Sequence, residues 1–293
     1  MRLAEIERHV ASMEELQQIV GAMRAIASMR MQEAGRALSS VRDYGAALAD
    51  ALHDALAIAD EETHLGGGDM RRLVDGTGAP GQWRARRAIV LFASEHGFVG
   101  GFNQRLIETV EADLTATDAL MIVGSRGAAF AAERGHTAAW AHPLATGLTG
   151  IPETVRHLEE ALLPRISRAA VLRAEVIFGR YGRSGQLDIE RHRLFPLVLG
   201  PARAGRRGLA PLHDLPLQEL LEKLTAEYML AQLTEAATEA LTAENAARFA
   251  AMDSARANVG RKLETLRRDA SRARQEEITT ELLDLITGEQ ALS

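Results

Sequence analysis

The chain has 293 residues, of which 46% are apolar, and a formal net charge of −6 at pH 7. This length and apolar content suffice for one or two packed domains, and the acidic balance argues against a strongly cationic nucleic-acid-binding protein. The sequence contains no cysteine, which excludes disulfides, thiolate nucleophiles and thiolate metal sites.

The sequence predicts no membrane-spanning helix, because it has no run of about 18 or more apolar residues. The opening stretch, MRLAEIERHV, carries Glu5 and Glu7 and lacks the apolar core of a signal peptide. We therefore expect a cytosolic or peripheral protein.

A long helix is predicted at the start of the chain. Residues 3–58 contain no proline, and their apolar side chains recur about every 3.5 residues with interruptions at Gln17 and Arg24. Residues 1–58 are therefore interpreted as an N-terminal coiled-coil helix. Residues 59–87 are rich in glycine and charge and are predicted to form a flexible connection.

Short apolar runs alternate with helical spacing between residues 88 and 195, which predicts a Rossmann-like α/β domain with a mostly parallel sheet. The expected strands are Ala88–Ala93, Ala119–Val123, Ala174–Arg180 and Gln186–Leu194, the last two forming a hairpin. The expected helices are Asn103–Ala116, Gly127–Arg134 and Pro152–Ser167.

A second long helix is predicted after a linker at 196–216 that is rich in proline and glycine. Residues 217–293 are interpreted as a C-terminal coiled-coil helix. Its apolar stripe includes Val259, Leu263 and Leu266 and, after a phase shift at Ala270, Ile278, Leu282 and Leu285. Antiparallel pairing is the simplest way to cover both stripes. The predicted fold class is α/β: a long antiparallel coiled coil of the terminal helices plus an inserted Rossmann-like, mostly parallel sheet domain.

The segment SEHGFVGGFN, residues 94–103, places glycines between the first strand and the next helix, a layout that can bind phosphate. A P-loop also needs a lysine and a hydroxyl after the glycines, and the chain has no Gly-Lys pair. The one G-x-G-x-x-G match, at 76–81, precedes the first strand and contains Pro80. We interpret residues 97–101 as a tight, close-packed turn.

No residue pattern predicts catalysis or metal binding. Ser94, Glu95 and His96 adjoin in sequence, but a catalytic triad must converge in space. The 9 histidines include no H-x-x-x-H pair that could bind a metal from one helical face. We expect no catalytic, metal or cofactor site.

Basic residues are concentrated between Arg256 and Arg274, where seven lysines and arginines face only two acidic residues. Two interpretations stay open: a solvated helix face, or a track for acidic partner surfaces. The aromatic residues expected of a single-strand nucleic-acid binder are absent from this segment.

The C-terminal segment resembles the closing helix of the gamma subunit of F-type ATP synthases. The family pattern E-x-x-x-R-x-x-A-M is matched by Glu244, Arg248, Ala251 and Met252. The pattern R-Q-x-x-I-T-x-E-L is matched by Arg274, Gln275, Ile278, Thr279, Glu281 and Leu282.

The N-terminal segment and the glycine loop are similar to the same family. QQIVGAMRAIASMRMQEA, residues 17–34, keeps the family's Ala22, Met23 and Ala27, and SEHGFVGGFN keeps Gly97, Gly100 and Asn103. The departures are Glu95 for Asp, Phe98-Val99 for Leu-Cys, Arg30 for Lys and Val20 for Thr. They indicate a divergent, bacterial-type branch.

The resemblance implies a rotor-shaft subunit of the central stalk, which couples ion-driven rotation of the c-ring to conformational changes at the catalytic beta subunits. It implies a non-catalytic chain without cofactors, with the alpha and beta subunits of the head, the epsilon subunit and the c-ring as partners. It also implies a peripheral position at the cytoplasmic face of the bacterial inner membrane.

The site residues implied by the resemblance fall into two groups. The expected partner contacts are Met23, Arg30, Arg274, Gln275, Thr279 and Glu281, and the expected turn residues are Gly97, Gly100 and Asn103. For Met23, a place in the coiled-coil core is an equal alternative. The rival interpretations of the whole chain are a coiled-coil adaptor with an inserted sheet domain and a nucleotide-dependent enzyme using residues 89–106.

Overall fold

A computed structural model describes residues 3–62, 87–167, 171, 173–182, 185–199 and 214–290. The helices are α1 (Leu3–Glu62), α2 (Phe102–Glu111), α3 (Ser125–Glu133), α4 (Ile151–Ser167) and α5 (Leu217–Gln290), with a short 3-10 turn at Leu148–Gly150. The strands are β1 (Arg87–Phe92), β2 (Ala119–Val123), β3 (Trp140–His142), β4 (Arg173–Tyr181) and β5 (Leu187–Phe195). The chain divides into two compact units, Met1–Ser28 with Arg248–Ser293 and Met29–Ala247.

The first unit is an antiparallel helix pair. Residues early in α1 pair with residues late in α5: Glu7 with Arg274 at 2.5 Å and Glu14 with Arg267 at 2.5 Å. The buried side chains of the seam are Ile6, Val20, Ala27, Met252, Val259, Leu263 and Leu266. They include positions of both predicted stripes, so the predicted antiparallel coiled coil is confirmed.

The second unit contains a five-stranded sheet in the order β3-β2-β1-β4-β5. The first three neighbour pairs are parallel, and β5 runs antiparallel to β4 as the predicted hairpin requires. Val90 of β1 lies opposite Met121 of β2 and Val176 of β4. The mixed, mostly parallel α/β fold class is confirmed.

Both faces of this sheet are covered, because successive side chains of a strand point to opposite faces. On one face, Val90 and Phe92 join a core with Leu158 of α4 and Leu241 of α5. On the other face, the core includes Ile89, Leu91, Leu106, Ile107 and Val110, together with Ala243 and Ala247 of α5. The part of α5 in this unit therefore contributes to both cores.

Within the second unit, α1 and α5 also pack on each other. Leu52 and Ala55 of α1 form a buried cluster with Leu221 and Met229 of α5. Tyr44 donates a hydrogen bond to Glu227 at 2.6 Å across the same pair.

An ion network connects the start of β1 to the end of α2. Arg87 donates to Asp113 at 2.9 Å and to Asp118 at 2.8 Å, and Arg191 of β5 donates to Asp113 at 2.5 Å. The chain reverses here because the Asp118 carboxylate accepts the Thr115 amide at 2.9 Å. Helix α2 ends at Glu111, five residues before the predicted end at Ala116, and this turn follows it.

Most other boundaries differ from the prediction by one or two residues, and two differences are larger. Helix α1 continues through Glu62, so residues 59–62 are helical and not part of a connection. Strand β3 was not predicted, because three residues, Trp140–His142, are too few to show an alternating pattern. The rest of the predicted connection, 63–86, and residues 200–213 of the predicted linker lie outside the described residues.

Candidate functional site

Four of the predicted partner contacts, Arg274, Gln275, Thr279 and Glu281, lie near the end of α5. All four are exposed side chains of α5 in the first unit. The Arg274 guanidinium, whose side chain is 62% exposed, pairs with Glu7 of α1. The Thr279 hydroxyl donates to the Gln275 carbonyl at 2.8 Å within the helix. The four side chains are thus accessible at the surface of this unit, with Arg274 already paired within the chain.

The coiled-coil seam ends before the predicted stripe does. Since Glu7 pairs with Arg274 and α1 begins at Leu3, few described residues of α1 remain to cover the rest of α5. Ile278 and Leu282 are accordingly 51% and 55% exposed, and the neighbouring Leu283 is 57% exposed. The prediction that Ile278 and Leu282 lie in the seam is wrong, and the side chain of Leu285 lies outside the described residues.

The two predicted contacts on α1 are both half-buried, Met23 in the first unit and Arg30 in the second. In the first unit, Leu16, Ile19 and Ile26 are exposed by 40%, 57% and 48%. Their spacing places them on one helix face with Met23, directly beside the buried seam positions. Sequence analysis did not identify these exposed residues, because they fall outside the spacing of the predicted seam.

The basic segment borders a groove of about 610 Å³ in the first unit, lined by Gln17, Gly260, Leu263, Glu264, Arg267, Arg268, Ser271 and Arg272. Arg267 is paired with Glu14 across the seam, and Arg268 lies 3.6 Å from Glu264 on its own helix. Arg24 similarly pairs with Asp253 at 2.8 Å and lies over the Phe249 ring. Part of the basic excess is therefore neutralised within the chain.

The glycine loop follows β1 in the second unit. Asn103, which is buried, accepts the Ser94 amide at 3.0 Å and donates to the Ser94 hydroxyl at 2.7 Å, so it fixes the base of the loop. Gly100 has a φ of +57°, which favours glycine. A Cβ at Gly97 or Gly100 meets no atom within 4 Å, so the predicted close packing is not found there.

The close packing lies instead at two glycines after β2. A Cβ on Gly124 would come within 2.4 Å of the Ala93 carbonyl oxygen, and Gly124 has a φ of +120°. A Cβ on Gly127 would come within 2.1 Å of the Ala93 Cβ. These contacts join segments distant in sequence, so local sequence patterns carry no signal for them.

The loop amides are bound by an internal carboxylate. Glu244 of α5 accepts the amide of Glu95 at 3.0 Å and that of His96 at 3.3 Å. The Glu95 carboxylate in turn accepts the Ser125 amide at 2.9 Å and the Leu144 amide at 2.8 Å. Ser94, Glu95 and His96 are thus engaged in holding the loop, and no catalytic triad is formed by them.

Phe98 is an exposed side chain that sequence analysis did not single out. It has a φ of +61° and is 67% exposed. A left-handed backbone is uncommon for a bulky residue. The next residue, Val99, is buried, and it anchors the loop directly after Phe98.

The described residues offer neither a cluster of metal ligands nor a membrane-spanning helix. Among them, no group of three His, Asp or Glu side chains is placed to hold a metal ion. None of the helices in the described part of the chain is both long and apolar enough to cross a bilayer.

These features define a class of protein: an antiparallel coiled coil whose chain carries an inserted α/β unit, with exposed apolar and charged side chains on the helices. The family model for ATP synthase matches residues 2–292. The gamma chain of Paracoccus denitrificans is 26% identical, over 99% of this chain and 99% of its own length. The gamma chain of Geotalea uraniireducens is 24% identical, over 99% of this chain and 98% of its own length. The chain therefore belongs to the gamma-chain family of the ATP synthases, a stalk subunit and not the catalytic one.

Solved structures show the same fold. A chain of the Euglena gracilis mitochondrial ATP synthase aligns with a TM-score of 0.61 at 15% identity, covering 99% of this chain and 94% of its own. A central-stalk chain of the Tetrahymena thermophila enzyme aligns with a TM-score of 0.56 at 14% identity, covering 81% of this chain and 99% of its own.

Proposed function

We propose that this chain is the rotor shaft in the central stalk of an F-type ATP synthase or ATPase. It couples ion-driven rotation of the c-ring to conformational changes at the catalytic beta subunits, and it performs no catalysis itself. The family match over residues 2–292 supports this function. The structural observation that carries it is the end of α5, where an apolar stripe continues past the paired length of the coiled coil.

The exposed end of α5 favours enclosure by partner subunits. Ile278, Leu282 and Leu283 are each more than half exposed in the isolated chain. Full burial of such a side chain contributes about 1.5–3 kcal/mol, so a surrounding protein surface would gain binding energy from all three. Arg274 and Gln275 lie at the start of this segment and offer hydrogen-bond donors to the same surface.

The proposed partners are the alpha and beta subunits of the head, the epsilon subunit and the c-ring. The similar Euglena structure contains OSCP, F1 and a c-ring, and the Tetrahymena structure contains the central stalk and c-ring. A single shaft contacts the members of a ring from different sides. Each orientation then stabilises a different set of open and closed catalytic subunits, so rotation shifts their populations in sequence.

We propose contact roles for six side chains. Arg274 and Gln275 hydrogen-bond an acidic or hydroxyl-bearing loop of a beta subunit, a charge-assisted contact worth about 1.5–3 kcal/mol when desolvated. In binding this loop, Arg274 exchanges Glu7 for the partner. Thr279 and Glu281 extend the same contact, and Met23 and Arg30 contact a beta subunit from α1.

We also propose a location and domain limits for this chain. The family's complex is membrane-associated, and we propose that this chain is held peripherally at the cytoplasmic face of a bacterial inner membrane. The proposed domains are an N-terminal helix through Glu62, a connection to residue 86, an α/β domain from Arg87 to residue 195, a linker at 196–216 and a C-terminal helix at 217–293.

Reconstitution tests the proposed function. Purified alpha and beta chains from the same source are mixed with this protein, and complex formation and ATP hydrolysis are measured together. We expect a stable complex whose ATPase activity depends on this chain. Failure of the folded partners to associate with it contradicts the rotor-shaft function and leaves a coiled-coil adaptor.

A further inference from the structure

The second unit contains two points at which α5 is fixed to the sheet by buried charge. Apolar contacts alone are non-directional, so they resist separation better than they resist sliding or rolling. Hydrogen bonds to a carboxylate are directional and stronger than neutral ones. Glu239 and Glu244 of α5 are 3% and 2% exposed, and both are hydrogen-bonded to groups outside their own helix.

The first point is Glu244. Its two carboxylate oxygens accept different loop amides, one from Glu95 at 3.0 Å and one from His96 at 3.3 Å. The Glu95 side chain continues the connection to Ser125, which begins α3, and to Leu144, which follows β3. A force on α5 at Glu244 is therefore transmitted to the edge of the sheet that β2 and β3 form.

The second point is Glu239. Its carboxylate accepts Arg180 of β4 at 3.1 Å and also pairs with Arg42 of α1. Arg180 pairs at the same time with Glu190 of β5 at 3.1 Å. This point therefore connects α5 to α1 and to the β4–β5 hairpin. The hairpin forms the opposite edge of the sheet from β2 and β3.

The two points act at different heights and angles on the helix. Five residues separate them, which corresponds to about 7.5 Å along the axis and about 140° around it. One attachment alone lets a helix pivot, whereas two attachments at different angles oppose both sliding and rotation about its axis.

We infer that Glu239 and Glu244 form a torque clasp: two positioning residues that fix the rotational angle of α5 relative to the sheet of the second unit. Turning the sheet then turns the helix, with little slip between them. This inference rests on the proposed rotor function, because a clasp matters for activity only if the chain transmits rotation.

The test compares Glu244→Gln and Glu244→Ala with the control Thr238→Val. Gln keeps the volume of Glu244 but retains one acceptor oxygen in place of two. Thr238 is fully buried on the same helix, and its hydroxyl donates to the Thr234 carbonyl of α5 itself. The control therefore removes a buried hydrogen bond without touching the loop.

Two quantities are measured. Amide hydrogen exchange of residues 94–101 reports whether the clasp holds the loop, and we expect exchange to accelerate about tenfold in Glu244→Ala and less in Glu244→Gln. In the membrane-reconstituted complex, the ions pumped per ATP hydrolysed report coupling. We expect this ratio to fall in both Glu244 variants while ATP hydrolysis persists, and to stay at the wild-type value in Thr238→Val.

The outcomes separate the inference from the proposed function. A wild-type chain that supports no coupled complex contradicts the function itself. A coupled wild-type complex with an unchanged pumping ratio in Glu244→Gln overturns the clasp, whatever the exchange data show. If Glu244→Ala does not assemble, Glu244→Gln decides, because it keeps the side-chain volume in the core.

Discussion

Backbone geometry decides what several individual residues contribute. Gly97 and Gly100 were predicted as turn residues, but only Gly100 has a positive φ, and neither has a close neighbour at its Cβ position. Gly124 has both a positive φ and a close neighbour. Sequence analysis could identify the glycine-bearing loop, but it could not identify Gly124. The close neighbour of Gly124 is Ala93, which follows β1 and is distant in sequence.

Substitution of Gly124 tests this difference. Gly124→Ala forces a Cβ against the Ala93 carbonyl and a side chain into an unfavourable φ, so we expect the free energy of unfolding to fall by about 3 kcal/mol or more. Gly97→Ala is the control and should change it by less than about 0.5 kcal/mol. Urea denaturation followed by circular dichroism measures both, and equal effects would contradict the packing described here.

Phe98 allows a second test at this scale. The left-handed backbone disfavours Phe but is tolerated by Asn, and the ring is 67% exposed and so adds little packing. Phe98→Asn should therefore raise the free energy of unfolding by about 0.5–1 kcal/mol. A loss of stability in the same urea titration would show that the ring packs on the loop.

The secondary-structure elements were predicted where their patterns are long. Proline-free apolar stripes identified both long helices, and β2 was predicted with its observed bounds, Ala119–Val123. The end of α2 depends on the Arg87–Asp113–Asp118 network and the end of the seam depends on where α1 begins, and neither is a property of the local sequence. The predicted contact residues stay predictions, since their partners belong to other chains.

The ion network at the start of β1 makes stability dependent on pH. Hydrogen bonds from Arg191 and Arg87 lower the pKa of Asp113. Burial opposes ionisation of Asp118, but donors from Arg87 and Thr115 outweigh it, so its pKa is also lowered. A carboxyl group with a lowered folded-state pKa stabilises the fold fully above its unfolded value of about 3.9, and this stabilisation is lost as pH falls towards the folded value.

We therefore expect Asp113→Asn to lower stability at pH 7 and to weaken the loss of stability below about pH 4. Urea midpoints between neutral pH and pH 3 measure the effect. The control is Glu133→Gln, which removes an exposed carboxylate 3.8 Å from Arg126 and should leave the acid dependence unchanged. Parallel acid profiles for wild type and Asp113→Asn would exclude a stabilising role for the network.

The coiled coil offers a pair of matched leucines. Leu266 is 6% exposed in the seam, and Leu282 is 55% exposed beyond it. Leu266→Ala should lower the free energy of unfolding by about 2–4 kcal/mol, whereas Leu282→Ala should leave the isolated chain almost unchanged. Thermal denaturation by circular dichroism at 222 nm distinguishes them, and a large loss in Leu282→Ala would place that side chain in the seam after all.

At the scale of the whole molecule, the proposed contact with a beta subunit can be tested in the assembled complex. Replacing Arg274 and Gln275 together with Ala removes the donors proposed for the beta-subunit contact, so ATP turnover of the reconstituted complex should fall. Lys223→Ala is the control, because Lys223 is exposed and pairs with Glu219 within its own helix. Turnover equal to that of the control would contradict the contact role of Arg274 and Gln275.

The carboxylate of Glu244 has a further consequence for the glycine loop. A strand, a loop and a helix with free amides form a general receptor for phosphate. Here a tethered anion sits on the amides of Glu95 and His96. Because a tethered group has a high effective concentration, the Glu244 carboxylate competes with any free anion for these amides.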